Sequence, residues 1–188
     1  FSIHNYFFAK ALDQVRPGGI VAFVTSRYTL DSKDTTVRKY LAQRAELLGA
    51  IRLPNDAFKA NAGTEVVTDI IILQKRDHID LPEPAWVQLG ESANGFAINR
   101  YFADHPEMVL GVQTSESTQY GKQDFTVAPI EGADLGEQLA GAIQHIHGVY
   151  TEAAPADVED AEADDSIPAD PAVRNYSYTV VDGKVYYR

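Results

Sequence analysis

Arg16-Pro17-Gly18-Gly19-Ile20-Val21-Ala22-Phe23-Val24-Thr25 holds the reading of the fold, because a proline and two glycines run straight into a continuous apolar, β-branched segment. Proline pushes the residue before it out of the helical region and paired glycines permit a tight turn, so a helix arriving from upstream ends here. The apolar run, lacking polar alternation, reads as a strand buried on both faces of a parallel sheet. Upstream, Ile3, Tyr6, Phe7, Ala11, Leu12 and Val15 recur at three- and four-residue steps, the period of an amphipathic helix. Helix, glycine turn and buried strand make half of a βαβ unit.

Downstream, Val37, Tyr40, Leu41, Ala45 and Leu48 predict a second helix, and a short strand from about Leu48 to Leu53 stops at Pro54. A loop with the turn signal Asn61-Ala62-Gly63 leads into Val66-Val67-Thr68-Asp69-Ile70-Ile71-Ile72-Leu73-Gln74-Lys75, a long β-rich strand. The loop is too short for a helical crossover, so these two strands pair antiparallel as a hairpin at the sheet edge. Past Arg76 the pattern weakens. Leu81-Pro82-Glu83-Pro84 marks a boundary, Trp86-Val87-Gln88-Leu89 reads as a short strand, residues 97–111 keep no firm period, and Leu139, Ile143, Ile146 and Val149 place a helix within 135–150. The expected organisation is an α/β unit over 1–76, an irregular extension over 77–151, an acidic linker over 152–171 and a β-hairpin over 172–188. Asp182-Gly183 between two alternating runs signals that hairpin, which is marginal alone and needs something to pack on.

With 188 residues and 45% hydrophobic side chains, the chain is long enough to bury one core. It has no cysteine, which suits a reducing, cytoplasmic setting, and no apolar run near the roughly 20 residues of a membrane span. Its opening at Phe1, without methionine or a basic leader, reads as a processed or cloned fragment. A net charge of −11 argues against phosphate binding, but eight of the 27 acids fall between Glu152 and Asp170 with no base among them. The remainder is near neutral, and DNA stays open as a partner.

Tyr6-Phe7-Phe8-Ala9-Lys10-Ala11-Leu12, the segment Val15 to Ser26, Val37-Arg38-Lys39-Tyr40-Leu41, Ala50-Ile51-Arg52-Leu53-Pro54 and Thr68 to Lys75 follow in an order and spacing that resembles adenine-N6 DNA methyltransferases of the type I restriction-modification kind. Methylase domains fused to helicase-like modules in large phage and mobile-element proteins look closest. The resemblance implies the C-terminal half of a class I (Rossmann-like) sheet ending in an antiparallel hairpin. It also implies DNA as substrate and S-adenosylmethionine as cofactor of the intact parent. The glycine-rich cofactor loop and the Asn-Pro-Pro-aromatic motif of that family are absent from this sequence. The fragment is therefore expected to need its missing N-terminal half and adjoining modules, to bind no cofactor and to carry no catalytic residue. The chemistry requires this: two carbonyl acceptors localise the lone pair of the adenine amine in line with the methyl donor, and neither is present. The alternative is a non-catalytic segment that binds DNA or a helicase module through a degenerate fold of the same kind.

What such a half contributes is the wall of a pocket for a base turned out of the helix. By the resemblance, Phe58 in Leu53-Pro54-Asn55-Asp56-Ala57-Phe58 stacks on that base; read from the residues alone, it plugs the hairpin as core. Thr25, Ser26, Arg27 and Tyr28 leave the C-terminal end of a strand, where doubly wound folds bind ligands, and face DNA or plain solvent there. His4, His78, His105, His145 and His147 form no metal spacing, and Thr25-Ser26 lacks the Gly-x-Ser-x-Gly elbow of serine hydrolases. The basic residues are spread rather than clustered.

Overall fold

In the computed structural model, residues 3–117, 123–150, 152 and 167–188 are described. The turn at Gly18-Gly19 sets the frame. Helix α1 (Ile3–Gln14) stops there because Gly18 takes φ 75°. A β-carbon on Gly19 would stand 2.5 Å from Cγ2 of Val15, so only glycine lets the chain double back this closely. Strand β1 (Ile20–Ser26) follows, then a four-residue turn of helix, α2 (Tyr28–Asp31), and α3 (Thr36–Arg44). Strand β2 (Ala45–Leu53) is joined to β3 (Thr68–Lys75) through the short α4 (Lys59–Ala62), which Gly63 ends in the left-handed region.

The sheet order is β1-β3-β2, and β3 runs antiparallel to both neighbours. The antiparallel pairing of β2 with β3 is as expected from their short connection. The rest differs. β3 lies at the centre rather than the edge, and the parallel, doubly wound sheet is not formed: among the described residues every pair of neighbouring strands is antiparallel. β1 is not buried on both faces either. Val21 and Thr25 point into the core while Ile20 and Val24 are 48% and 55% exposed, because β1 has a neighbour on one side only and little covers its outer face. α3 also ends earlier than its apolar spacing predicts, since Ala45 is taken up in the ladder opposite Lys75. Pairing along eight residues of β3 outweighs the weak helical preference of one turn.

The core does not stop at residue 76. A 3-10 turn (Ala85–Val87), the ribbon β4 (Leu89–Glu91) and β5 (Ala97–Asn99), and α5 (Arg100–Asp104) bring Trp86, Val87, Ile98 and Phe102 into the same cluster as Leu12, Leu41, Ile71 and Leu73. The hairpin β6 (Val112–Ser117) and β7 (Gln123–Ala128) adds Phe125 and Val127. Helix α6 (Leu135–Ile143) is shorter than the stretch expected, and the turn after it reaches back so that Ile146 packs against Gly49. The extension after 76 is thus packed rather than irregular, and residues 1–151 make one unit.

Residues 152–188 make a second unit. Most of the acidic linker expected over 152–171 lies outside the described residues. Beyond it, β8 (Tyr178–Val181) and β9 (Lys184–Tyr187) meet at Asp182-Gly183, both with positive φ, as the tight two-residue hairpin turn requires. No helix among the described residues is long and apolar enough to cross a membrane.

Candidate binding cleft

Three elements converge where β1 ends. α1 brings Phe7 and Phe8, β1 brings Phe23, Thr25 and Ser26, and the loop before α4 brings Phe58; together they wall an open cleft of about 600 Å3. Phe8 and Phe23 hold each other edge to face, with ring centroids 4.9 Å apart, which fixes one wall. Phe58 is half-buried: its inner part packs on the core and its outer part faces the cleft.

The polar groups of the cleft are the hydroxyls of Thr25, Ser26, Thr64 and Thr68 and the imidazole of His4. Thr25 Oγ1 is 3.1 Å from Thr29 Oγ1, and Ser26 Oγ accepts from the Tyr28 amide at 3.4 Å. Thr68 is buried at the rim, and its Oγ1 has no hydrogen-bond partner. A buried hydroxyl left unmatched is costly, and one that borders a cleft is satisfied when a ligand edge arrives.

Arg27 and Tyr28 do not join this cleft. Arg27 is buried, and its Nη2 donates to both carboxylate oxygens of Asp124 at 2.8 Å, while Nη1 lies 3.4 Å from Asp31 Oδ2. Tyr28 is exposed; its hydroxyl donates to Asp124 Oδ2 at 3.1 Å, and the Arg27 guanidinium lies 4.3 Å from its ring centroid. A guanidinium with both forks engaged has little left to offer a phosphate. Burial alone would raise the Asp124 carboxyl, but the Arg27 charge and the donated hydrogen bonds outweigh it and hold it below the usual carboxylate range.

Sequence reasoning missed the polar hub behind Arg27. Arg52 is fully buried, with Nε and Nη2 donating to the two oxygens of Asp69 at 2.8 and 2.9 Å and Nη2 also reaching Asp31 Oδ1 at 2.9 Å. Nη1 lies 2.9 Å from Asp31 Oδ2, close enough to pair in charge but not aligned to donate. The guanidinium sits 4.2 Å from the Phe102 ring centroid, and Asp31 Oδ1 further accepts the Asn99 amide. Burial lowers the Arg52 pKa, but the two carboxylates more than reverse this and keep it charged. The signal for this hub was present in Arg52 and Asp69, charged residues inside apolar strands that take directly opposed positions in the ladder.

Among the described residues no group of three His, Cys, Asp or Glu side chains is placed to hold a metal ion. The cleft combines aromatic rings and hydroxyls with the His4 imidazole, a composition suited to binding a flat, partly apolar group.

The described residues form a mixed α/β arrangement built on small antiparallel sheets. The chain is 35% identical over 72 residues to Defense against restriction protein B of Escherichia phage P1, a match covering 38% of this chain and 3% of that protein. No family model matches the sequence, and no solved structure matches the fold. The match overturns the family reading made from sequence. The relative is named for defence against restriction and not as a methyltransferase domain, so the adenine-N6 methyltransferase assignment is withdrawn.

Proposed function

We propose that this chain is a non-catalytic interaction segment in a restriction-defence setting, that it engages DNA, and that the cleft at the end of β1 takes one unstacked base. One observation carries the reading: Thr25 and Ser26 at the end of β1 and Phe58 from the loop before α4 meet on one open cleft walled by phenylalanines, with the unpaired Thr68 hydroxyl at its rim. Every base offers a π-face, and stacking on an aromatic ring contributes about 1–3 kcal/mol per base. Hydroxyls both donate and accept, so Thr68 suits a base edge of either polarity. The restriction-related name of the matched relative supports a DNA context.

The test is fluorescence anisotropy of the full chain with labelled single-stranded and duplex oligonucleotides. Phe58→Leu keeps an apolar plug and removes the ring; it is expected to weaken binding at least fivefold, the low end of the stacking range, with the thermal midpoint nearly unchanged. Thr68→Val is expected to alter the preference among bases. Failure to bind either oligonucleotide, or an affinity untouched by Phe58→Leu, rejects this function.

A further inference from the structure

A second pocket, polar where the cleft is apolar, adjoins the cleft at the end of β1. It has a volume of about 610 Å3 and is lined by Asn5, Tyr28, Thr29, Ser32, Asp34 and Thr36, with His4 bordering both it and the cleft. A hydroxyl pair joins the two again, since Thr25 Oγ1 of the cleft lies 3.1 Å from Thr29 Oγ1 of the pocket. Most polar groups here already serve the protein. The Tyr28 hydroxyl donates to Asp124, and Ser32 Oγ accepts the Asp34 amide at 3.2 Å. Asp34 Oδ1 accepts from the amide and the hydroxyl of Thr36 at 2.9 and 2.6 Å. Both of those bonds fall on one oxygen, which leaves Asp34 Oδ2 open to a ligand. Asn5 Oδ1 is a further acceptor, buried without a partner, and an amide turns about its last torsion at little cost.

Acceptors of this kind call for a neutral donor. Thr36, through its hydroxyl and then its amide, holds the Asp34 carboxyl below the usual carboxylate range, so it is ionised at neutral pH. Among the described residues no lysine or arginine lines the pocket. Arg38, whose charge also favours the ionised form, is fully buried, with Nε donating to the Val87 carbonyl oxygen at 2.8 Å. A phosphate in the pocket therefore meets a carboxylate and no lining cation, whereas a hydroxyl donates to that carboxylate. Beside a base, the neutral donor is a sugar hydroxyl. Deoxyribose inside a DNA strand has none, because both of its hydroxyl oxygens are esterified to phosphate. Only a terminal sugar keeps one. We propose that the pocket holds the sugar of a terminal nucleotide, its free hydroxyl donating to Asp34 and its base in the adjoining cleft, so that the site reads a strand end. This rests on the base-binding reading of the cleft and adds to it which nucleotide is taken.

The measurement is competition, read by anisotropy, between an internally labelled oligothymidylate of about 12 nucleotides bound to the full chain and unlabelled strands of the same sequence. Strands with hydroxyls at both ends are expected to compete about fivefold better than strands phosphorylated at both ends or closed into circles, the effect of one net hydrogen bond. Phosphate at one end alone then shows whether the 3′- or the 5′-hydroxyl is used. Asp34→Asn keeps the oxygen that receives Thr36 and removes the charge. It is expected to abolish the preference for hydroxyl ends and to leave the thermal midpoint nearly unchanged, because Asp34 is exposed. Equal competition by all ends, or a preference that survives Asp34→Asn, overturns the pocket; binding that Phe58→Leu still weakens then keeps the cleft. A circle carrying one ribonucleotide that competes as well as the open hydroxyl-ended strand assigns a 2′-hydroxyl instead and overturns the strand-end reading. Absence of binding by every strand rejects the cleft and the pocket together.

Discussion

Arg52 is fully buried, and its charge is met by the carboxylates of Asp31 and Asp69 and by the faces of Phe102 and Phe125. A buried ion pair adds little stability over a well-packed apolar substitute, but removing one partner strands the other. Arg52→Ala leaves Asp69 buried without its ion-pair partner and Asp31 with only its 3.4 Å contact to Arg27, and is expected to cost about 3–5 kcal/mol, a large part of a small domain's stability. Urea denaturation read by circular dichroism checks this, and a cost below about 1 kcal/mol would show that water reaches the site. Arg27 teaches a related lesson. From sequence it is a loop arginine available to DNA; in the fold Asp31 and Asp124 absorb its charge. Asp124 lies 97 residues further along the chain, so no local pattern could reveal the pair.

At the scale of elements, the Arg27–Asp124 fork ties the β6–β7 hairpin to the end of β1. Because the Asp124 carboxyl is held below its ordinary value of 3.8, the stability it contributes is present above that pH and is lost as pH falls through its lower, folded value. Acidification below pH 3.8 is expected to release amide protection at Phe125 to Val127 before it releases the β1-β3-β2 ladder, and Asp124→Asn should remove the pH step. Hydrogen exchange at stepped pH reads both. The elements themselves were legible where periodicity is long or turn chemistry is strict. α1 showed through its three- and four-residue spacing, β3 through its β-branched run, and the β8–β9 turn through Asp182-Gly183. The central position of β3 was not legible, because strand order depends on pairings such as Ile20 with Gln74 that sequence spacing does not encode. The β6–β7 hairpin was missed because Gln113 to Ser117 is polar throughout and only Phe125 and Val127 anchor it. Of the candidate site, Thr25, Ser26 and Phe58 were legible as residues at strand ends, whereas Phe7, Phe8 and Thr68 looked like ordinary helix and strand interior.

At the scale of the whole molecule, the proposed binding cleft belongs to the first of two units. The sheet of the first unit has one further property. β1 exposes its outer backbone edge and carries none of the lysines, prolines or bulges with which proteins usually blunt such an edge. Left uncapped at high concentration, that rim is a template on which molecules can zip together, rim to rim, into ribbons. Light scattering of concentrated chain is expected to rise with time, and Ala22→Lys, outside the cleft, should hold it flat. Whatever the chain binds, its shelf life in isolation depends on a seven-residue strand, an edge among the described residues, whose alternate residues have hydrogen-bonding groups to spare.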